Sequence, residues 1–296
     1  MAILTVENLS KSYGRIQALK DVSFSVPEGT VFGILGPNGS GKTTTLGTIT
    51  DILKPTTGSY KLFDEPASAA NRRRIGTLLE TPNFYHYLSG VKNLEIVAEI
   101  KQHGKEDIEH VLEIVDLTRR KESKFSTYSL GMKQRLAIAS CLLGNPSVLI
   151  FDEPTNGLDP VGIAEIRELM KKLHREGKTI IMASHLLDEV EKVCTDVAIL
   201  KHGQLIVSGK VNEILSNEDM VEVASIDHTK LIEVLNPLPG KTKIIEDDPI
   251  VKIFFPVGKA NLSEVNHYCF NHGIILTHLV LKKQSLEARF FELTNN

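Results

Sequence analysis

The sequence predicts an α/β domain with a mostly parallel sheet, followed by a smaller α+β domain. Short apolar stretches such as residues 148–151 have the length of fully buried strands. They alternate with stretches that carry apolar residues at helical spacing, such as residues 161–176. Alternating strands and helices are typical of parallel sheets, because each crossover between parallel strands needs a covering helix. The length of 296 residues suits one large domain or two smaller ones.

The composition is that of an ordinary globular protein. Hydrophobic residues make up 42% of the chain and charged residues 24%. This is enough apolar material for a sizeable core, so a disordered chain is excluded. The 34 Lys and Arg residues nearly balance the 37 Asp and Glu residues, and the net charge is −3. The balance argues against a protein that binds nucleic acid through a broad basic face.

Neither the cysteines nor the apolar stretches indicate secretion or membrane insertion. Cys141, Cys194 and Cys269 are odd in number and widely spaced, so they predict buried free thiols and no disulfide framework or zinc site. The first residues lack the apolar stretch of a signal peptide, and no window approaches the roughly 18 consecutive apolar residues of a membrane span. If the protein acts at a membrane, another chain must supply the membrane-spanning part.

The first half of the chain begins with strands. Residues 3–6 and 22–26 alternate between apolar and polar, as half-buried strands do. Residues 30–35 predict a buried strand that enters a glycine-rich loop, and a helix is predicted from residue 42 to about 53. From about residue 86 to 145 the apolar residues fall at helical spacing, which predicts a helical insert.

Strands and helices alternate again in the next part of the chain. The buried strand over residues 148–151 precedes the amphipathic helix over 161–176. A second buried strand over 179–183 precedes a helix over 186–193. Residues 197–208 predict a closing hairpin with its turn at Lys-His-Gly.

A change in composition near residues 216–219 predicts a domain boundary, with one domain over 1–215 and an accessory α+β domain over 216–296. The order β-α-β-β-α-β in the second domain suggests a small ferredoxin-like arrangement. Its predicted elements are a strand over 221–226, a helix over 229–235, strands over 242–246 and 250–255, a helix over 262–271, a strand over 274–280 and a final helix over 285–293.

A glycine-rich loop after the strand at 30–35 carries the clearest chemical signal. It matches G-x-x-x-x-G-K-[ST] in full, between a predicted strand and a predicted helix. The matching residues are Gly36, Pro37, Asn38, Gly39, Ser40, Gly41, Lys42 and Thr43. The glycines let backbone N–H groups point at phosphate oxygens, and the helix N-terminus adds partial positive charge. We expect a nucleoside triphosphate here, with Lys42 at the β- and γ-phosphates, Thr43 on Mg²⁺ and Thr44 at the α-phosphate; a glycine-rich turn that happens to carry Lys-Thr is the alternative.

Three further residues follow buried strands and are expected at the same sheet edge. Two acids, Asp152 and Glu153, end the strand at 148–151, where carboxylates are costly unless they face a cation or a catalytic task. We expect Asp152 to hold Mg²⁺ and Glu153 to act as general base toward water. A helix cap or solvated turn is the alternative. His185 follows the strand at 179–183 and predicts a contact with the γ-phosphate; a purely structural histidine is the alternative.

Taken together, these motifs resemble the ATP-binding subunits of ABC transporters over roughly residues 1–210. The resemblance implies a RecA-like P-loop ATPase core with an antiparallel β subdomain and a helical insert. It makes His185 the switch histidine and Tyr13 the aromatic that stacks on adenine, against the alternative of an exposed tyrosine at a strand end. The sequence from Tyr128 to Arg135 resembles the signature sequence, and Asp159 lies in a segment that resembles the D-loop.

The resemblance also implies a pair of cassettes arranged head to tail. In this family the signature sequence of one cassette closes over the ATP held by the other. Ser129, the backbone N–H of Gly131 and the following helix would form a second anion site. Because the chain carries both halves once, a homodimer would contain two complete ATP sites. ATP would then hold the pair together, and hydrolysis would release it.

Three positions depart from the family pattern. The signature usually reads Ser-Gly-Gly-Gln, whereas this chain has Leu130 in place of the first glycine and Met132 in place of the glutamine. The glutamine that senses Mg²⁺ between the two subdomains is replaced by Glu80. A carboxylate can ligate Mg²⁺ directly but repels phosphate when the metal is absent. Glu80 is therefore expected to make the link between the two subdomains more dependent on Mg²⁺.

The same variants narrow the resemblance to the bacitracin-resistance and lantibiotic-immunity exporters, which are bacterial ATPases paired with a separate membrane subunit. The expected function is ATP hydrolysis that drives export of an antimicrobial peptide or antibiotic through an integral membrane permease. The protein would be cytoplasmic and peripheral on the inner face of the cell membrane, without inserting itself or binding nucleic acid. One alternative is a soluble ABC-type ATPase acting on ribosomes or DNA. Another is a nucleotide sensor that does not hydrolyse ATP.

Overall fold

The computed structural model describes residues 1–79, 83–215, 218–256, 258–283, 286 and 290. The chain divides into two compact units, Met1–Val211 and Asn212–Asn296. None of the helices in the described part of the chain combines the length and apolarity needed to cross a bilayer.

The first unit contains two sheets with helices between and around their strands. Its strands are β1 (Ala2–Tyr13), β2 (Ile16–Pro27), β3 (Val31–Leu35), β4 (Thr57–Leu62), β5 (Glu65–Pro66), β6 (Ile75–Leu78), β7 (Val148–Asp152), β8 (Thr179–Ser184), β9 (Asp196–Lys201) and β10 (Gln204–Lys210). Its helices are α1 (Lys42–Ile49), α2 (Ala69–Arg72), α3 (Gly90–Lys101), α4 (Ile108–Ile114), α5 (Leu130–Leu142), α6 (Pro160–Arg175) and α7 (Leu187–Val193), with short 3₁₀ turns at Thr118–Arg120 and Phe125–Thr127.

The larger sheet has the strand order β10-β9-β3-β8-β7-β6. Its strands run parallel except β10, which pairs antiparallel with β9. The mostly parallel sheet and the closing hairpin are therefore confirmed. Every residue of β3, β7 and β8 is buried, which explains why these strands appear in the sequence as unbroken apolar stretches.

The smaller sheet, of order β2-β1-β4-β5, is antiparallel. It shares one hydrophobic core with the larger sheet and α1, and Phe24 of β2 stacks on Phe32 of β3 with ring centroids 5.6 Å apart. The smaller sheet is the antiparallel subdomain that the family resemblance implies. The sequence analysis did not anticipate β4, because five of its six residues are not buried and no alternation marks it.

The first helix is shorter than predicted: α1 ends at Ile49 and not near residue 53. Asp51 has a left-handed backbone with φ 64°, which stops the helix. The N–H of Leu53 then donates to the carbonyl of Gly47 at 2.9 Å, so the chain folds back onto the helix it has left. The apolar side chain of Leu53 had suggested a further helical turn.

The helices α3, α4 and α5 form the predicted helical insert. Helix α5 begins at Leu130, with Ser129 as its N-cap. The signature sequence therefore forms the first turn of this helix.

The second unit has the predicted β-α-β-β-α-β order. After α8 (Val211–Ile214), which contains the division between the units, its elements are β11 (Glu218–Ser225), α9 (His228–Leu235), β12 (Lys243–Asp247), β13 (Ile250–Pro256), α10 (Leu262–Asn271) and β14 (Leu276–Lys283). The sheet order is β12-β13-β11-β14 with every neighbouring pair antiparallel. Buried residues of β11, β13, α9 and α10 form its core.

The last two predicted elements of this unit are a strand that begins later than predicted and a helix that lies mostly outside the described residues. The last strand begins at Leu276 and not at 274, because Ile274 is buried in the connection and its N–H donates to the carbonyl of Cys269 at 3.0 Å. Most of the helix predicted over 285–293 lies outside the described residues.

Candidate nucleotide site

The glycine-rich loop leaves the carboxyl end of β3 and turns directly into α1. Gly41 is the N-cap of α1 and has φ 105°, a backbone that favours glycine. A Cβ on Gly41 would lie 2.8 Å from the carbonyl oxygen of Ala18, so the loop passes too close to β2 for any side chain there. Lys42 is buried, and its Nζ donates to the carbonyl of Gly36 at 2.8 Å. The loop thus has the backbone geometry and the buried cation that a phosphate group needs.

Three of the predicted residues meet in one chain of contacts. Lys42 Nζ lies 3.4 Å from Glu153 Oε1, and the other carboxylate oxygen of Glu153 lies 2.9 Å from His185 Nδ1. The sheet explains the meeting, because β3, β7 and β8 are parallel neighbours whose carboxyl ends share an edge. A carboxylate held between a lysine and a histidine can accept a proton from water at this edge.

The backbone of Glu153 is unusual for a residue with a side chain. Its φ of 48° lies in the left-handed region. The conformation is held because its N–H donates to the carbonyl of Ala183 on β8 at 3.0 Å. A left-handed residue directly after β7 breaks the regular alternation of the strand. Glu153 therefore points in a different direction from the buried Asp152.

A cleft of about 540 Å³ extends from Glu153 along the loop and reaches the β1–β2 hairpin. Its lining residues are Ile16, Gln17, Ala18, Lys20, Asn38, Gly39, Gly41, Lys42, Thr43, Thr44, Glu153 and His202. Tyr13 pairs with Ile16 across the hairpin and has 46% of its surface exposed. Lys11 Nζ lies 5.2 Å from the centroid of its ring.

A second cleft, of about 580 Å³, contains Thr43 and Asp152 together with Glu153. A hydroxyl and a carboxylate are hard oxygen donors of the kind that Mg²⁺ prefers. Among the described residues no group of three or more His, Cys, Asp or Glu side chains could hold a metal ion. Thr43 and Asp152 would supply one hydroxyl and one carboxylate to a cation, and water and phosphates would supply its other ligands. Glu80 lies outside the described residues.

The signature and D-loop residues lie together in another cleft, of about 460 Å³. Ser129 caps α5 by accepting a hydrogen bond from the N–H of Met132 at 3.3 Å, and Asp159 caps α6 through the N–H of Gly162 at 2.9 Å. No described residue of the glycine-rich loop lines this cleft. Leu130 is 51% exposed and lines both this cleft and the one containing Asp152.

Sequence reasoning missed several residues that line the clefts. Gln17, Lys20 and His202 line the first, and His86 and Lys133 line the second. Lys133 lies within the signature sequence, and no motif marks the other four. The hairpin turn containing His202 comes to the loop only because β9 lies beside β3 in the sheet.

Comparison with known proteins decides the family. The ABC transporter family model matches residues 19–156. The bacitracin transport ATP-binding protein BcrA of Enterococcus faecalis is 34% identical over 98% of this chain and 96% of its own length. The chain belongs to the ABC transporter family. It is an ATP-binding subunit and an ATPase, as the family resemblance implied.

Two further ABC relatives match a smaller part of this chain than BcrA does. The lantibiotic transport ATP-binding protein SrtF of Streptococcus pyogenes is 36% identical over 74% of this chain and 99% of its own length. The ATP-binding cassette MJ0796, solved as a dimer in a post-hydrolysis state with ADP and Pi, has a TM-score of 0.63 at 28% identity and covers 70% of this chain and 98% of its own. The ABC cassette fold is thereby confirmed.

Proposed function

We propose that this ABC subunit hydrolyses ATP to drive export of an antimicrobial peptide or antibiotic through a separate integral membrane permease. The names of its relatives, which transport bacitracin or a lantibiotic, support this class of cargo. The lack of a membrane-spanning helix in the described part of the chain is compatible with a permease on another chain. The subunit would then work in the cytoplasm, attached to the inner face of the membrane by that permease.

The contact of Glu153 with both Lys42 and His185 carries the catalytic proposal. Lys42 and the loop from Gly36 to Gly41 would bind the phosphates, with Thr44 at the α-phosphate. Glu153 would accept a proton from the attacking water. The water oxygen then forms a bond to the γ-phosphorus while the bond to the bridging oxygen breaks, which yields ADP and inorganic phosphate. His185 would orient Glu153 and contact the γ-phosphate.

Thr43 and Asp152 are the described residues that would hold Mg²⁺, with Glu80 as a further expected ligand. When bound, the cation neutralises charge on the phosphate oxygens. Asp152 suits this role because it is buried at the end of β7, where a carboxylate gains from a nearby cation.

A homodimer would complete the site. Ser129, Gly131 and Asp159 line a cleft separate from the glycine-rich loop, so they are available to a nucleotide held by a second copy. The dimer of the related cassette MJ0796 supports this arrangement. Tyr13 pairs with Ile16, which lines the first cleft, and would stack on the base.

Phosphate release from wild type and Glu153→Gln tests the catalytic assignment. Loss of a general base costs about 10² to 10⁴ in rate, while ATP affinity should hold because the loop is unchanged. Glu99→Gln is the matched control, since Glu99 is exposed and pairs with exposed Lys105. Equal rates for Glu153→Gln and wild type would contradict the assignment.

The transport assignment needs its own experiment. Tagged Glu153→Gln protein would be purified with ATP from gently solubilised membranes and analysed by mass spectrometry. Recovery of an integral membrane protein in comparable amount supports the export function. Recovery of ribosomal or DNA-associated proteins without a membrane subunit would overturn it in favour of a soluble ATPase.

A further inference from the structure

His202 stands in the turn between β9 and β10, at a position that seldom carries a histidine. Lys201 pairs with Gln204, so the turn has two central residues, His202 and Gly203. Their φ angles are 49° and 80°. Two-residue hairpins with both central φ angles positive are type I′ turns, which favour Asn, Asp or Gly at the first position.

The turn is fixed to the glycine-rich loop by backbone hydrogen bonds. The N–H of Gly203 donates to the carbonyl of Ser40 at 3.1 Å, and the N–H of Lys20 donates to the carbonyl of Gly203 at 2.7 Å. A Cβ on Gly203 would lie 2.6 Å from the carbonyl oxygen of Ala18, so the approach needs glycine. These contacts hold His202 at a set place in the wall of the cleft.

His202 is exposed and lines the same cleft as Asn38 and Gly39, the tip of the glycine-rich loop. The charged groups that face this cleft are Lys20 from β2, Lys42 from α1 and Glu153 after β7. Two of the three are cations, so this part of the cleft suits an anion. An imidazole adds a hydrogen-bond donor, and a positive charge when protonated.

We propose that His202 is a further nucleotide-binding residue, which donates a hydrogen bond to the polyphosphate of the bound nucleoside triphosphate. The proposal rests on nucleotide binding at the glycine-rich loop. Because the phosphates are common to all nucleoside triphosphates, the contact strengthens binding without selecting the base.

The test compares His202→Asn with Gln102→Asn. Both replace a left-handed residue by the amide that tolerates this backbone best, but Gln102 caps α3 away from the cleft. Calorimetric titration with ATP and with GTP gives the affinities, and thermal unfolding gives the stability.

For His202→Asn we expect about fivefold weaker binding of both nucleotides, the scale of one exposed contact with a charged group. The unfolding temperature should rise or stay the same, since the turn gains a favoured residue. Gln102→Asn should leave both affinities unchanged. A residue with only a structural role would not raise stability while lowering affinity.

Two results would overturn the assignment. Unchanged affinity of His202→Asn for both nucleotides would remove His202 from the site, and a loss confined to ATP would show a contact with the base. The variant Lys42→Ala tests nucleotide binding at the glycine-rich loop separately from the proposal for His202. If Lys42→Ala binds ATP as tightly as wild type, nucleotide binding at the loop itself is wrong; if Lys42→Ala loses ATP and His202→Asn does not, only the proposal for His202 fails.

Discussion

At the scale of single residues, Lys42 shows how one side chain serves both the fold and the site. Its ammonium group is buried, a costly position unless hydrogen-bond acceptors surround it. The carbonyls of Gly36 and Pro37 and the carboxylate of Glu153 provide those acceptors. The same geometry holds the charge where a phosphate group would approach. A neutral residue of similar length would fill the space but leave these acceptors without their cation.

Cys141 allows a prediction about pH. Burial raises the pKa of its thiol from 9.0 to about 12, so the folded protein keeps the proton that the unfolded chain loses above pH 9. The unfolded state then binds fewer protons, and the free energy of unfolding falls as pH rises from 9 to 12. The slope from this one thiol is about 1.4 kcal/mol per pH unit.

Urea unfolding of wild type and Cys141→Ala at several pH values in that range measures the slope. The variant loses some stability at every pH because a buried group is removed, but its decline with pH should be shallower by the contribution of one thiol. Parallel curves for the two proteins would show that Cys141 does not titrate on unfolding.

At the scale of elements, α5 is fastened at both ends by side chains. Ser129 caps its N-terminus. Near its C-terminus, Lys101 of α3 donates to the carbonyls of Ser140 at 2.8 Å, Leu143 at 3.4 Å and Cys141 at 3.5 Å. Burial lowers the pKa of Lys101. A helix leaves its last carbonyls without partners, so one ammonium group here replaces several missing bonds and joins two helices of the insert.

We therefore expect Lys101→Met to destabilise the protein by about 1–3 kcal/mol, since it leaves partly buried carbonyls without a donor. Lys105→Met is the control, because Lys105 contacts Glu99 in an exposed ion pair and should change stability by less than about 0.5 kcal/mol. Urea unfolding measures both variants. Similar losses in the two would mean that the cap contributes nothing.

The elements also show what the sequence can predict. The glycine-rich loop, Asp152 and Glu153 were identified because each lies directly after a buried strand, so local order places them. The strands β4 and β6 escaped prediction because they are short and one is largely exposed. The wall containing His202 depends on contacts between residues far apart in the chain, such as Lys20 with Gly203, and no local pattern marks such contacts.

A second nonlocal feature joins the 3₁₀ turn before α5 to the segment before α3. The N–H of Phe125 donates to the carbonyl of Leu88 at 2.8 Å, and that of Ser126 donates to the carbonyl of His86 at 2.9 Å. The ring of Phe125 also packs edge-on against Phe84 and His86 at centroid distances of 5.2 and 5.6 Å. The sequence alone does not reveal that Phe125, in the 3₁₀ turn before Ser129, packs against the segment before α3.

At the scale of the whole molecule, each unit has a hydrophobic core of its own. The core of the first unit draws on residues from Ile3 to Leu205, and that of the second on residues from Val221 to Leu279. Among the residues that the structure describes, these two cores draw on separate parts of the chain. Each unit therefore satisfies the main requirement for folding alone, which is burial of its own apolar residues.

We expect a chain cut after residue 215 to fold and to bind ATP with the affinity of the full chain, because every described residue of the nucleotide clefts precedes the cut. The length of SrtF, nearly all of which is matched by 74% of this chain, supports the choice of cut. Thermal unfolding and ATP titration measure the outcome. A truncated chain that is folded but no longer binds ATP would show that the second unit takes part in nucleotide binding.

A cut after Asp247 is the matched control for this truncation. It keeps β11 and β12 but removes β13, which lies between them in the sheet and pairs with both. Both strands then lose their partner and expose apolar residues of the second core, a condition that favours aggregation. The longer chain should thus be less soluble than the shorter one. If the chain ending at residue 215 is instead the less soluble, its first unit depends on the second for burial.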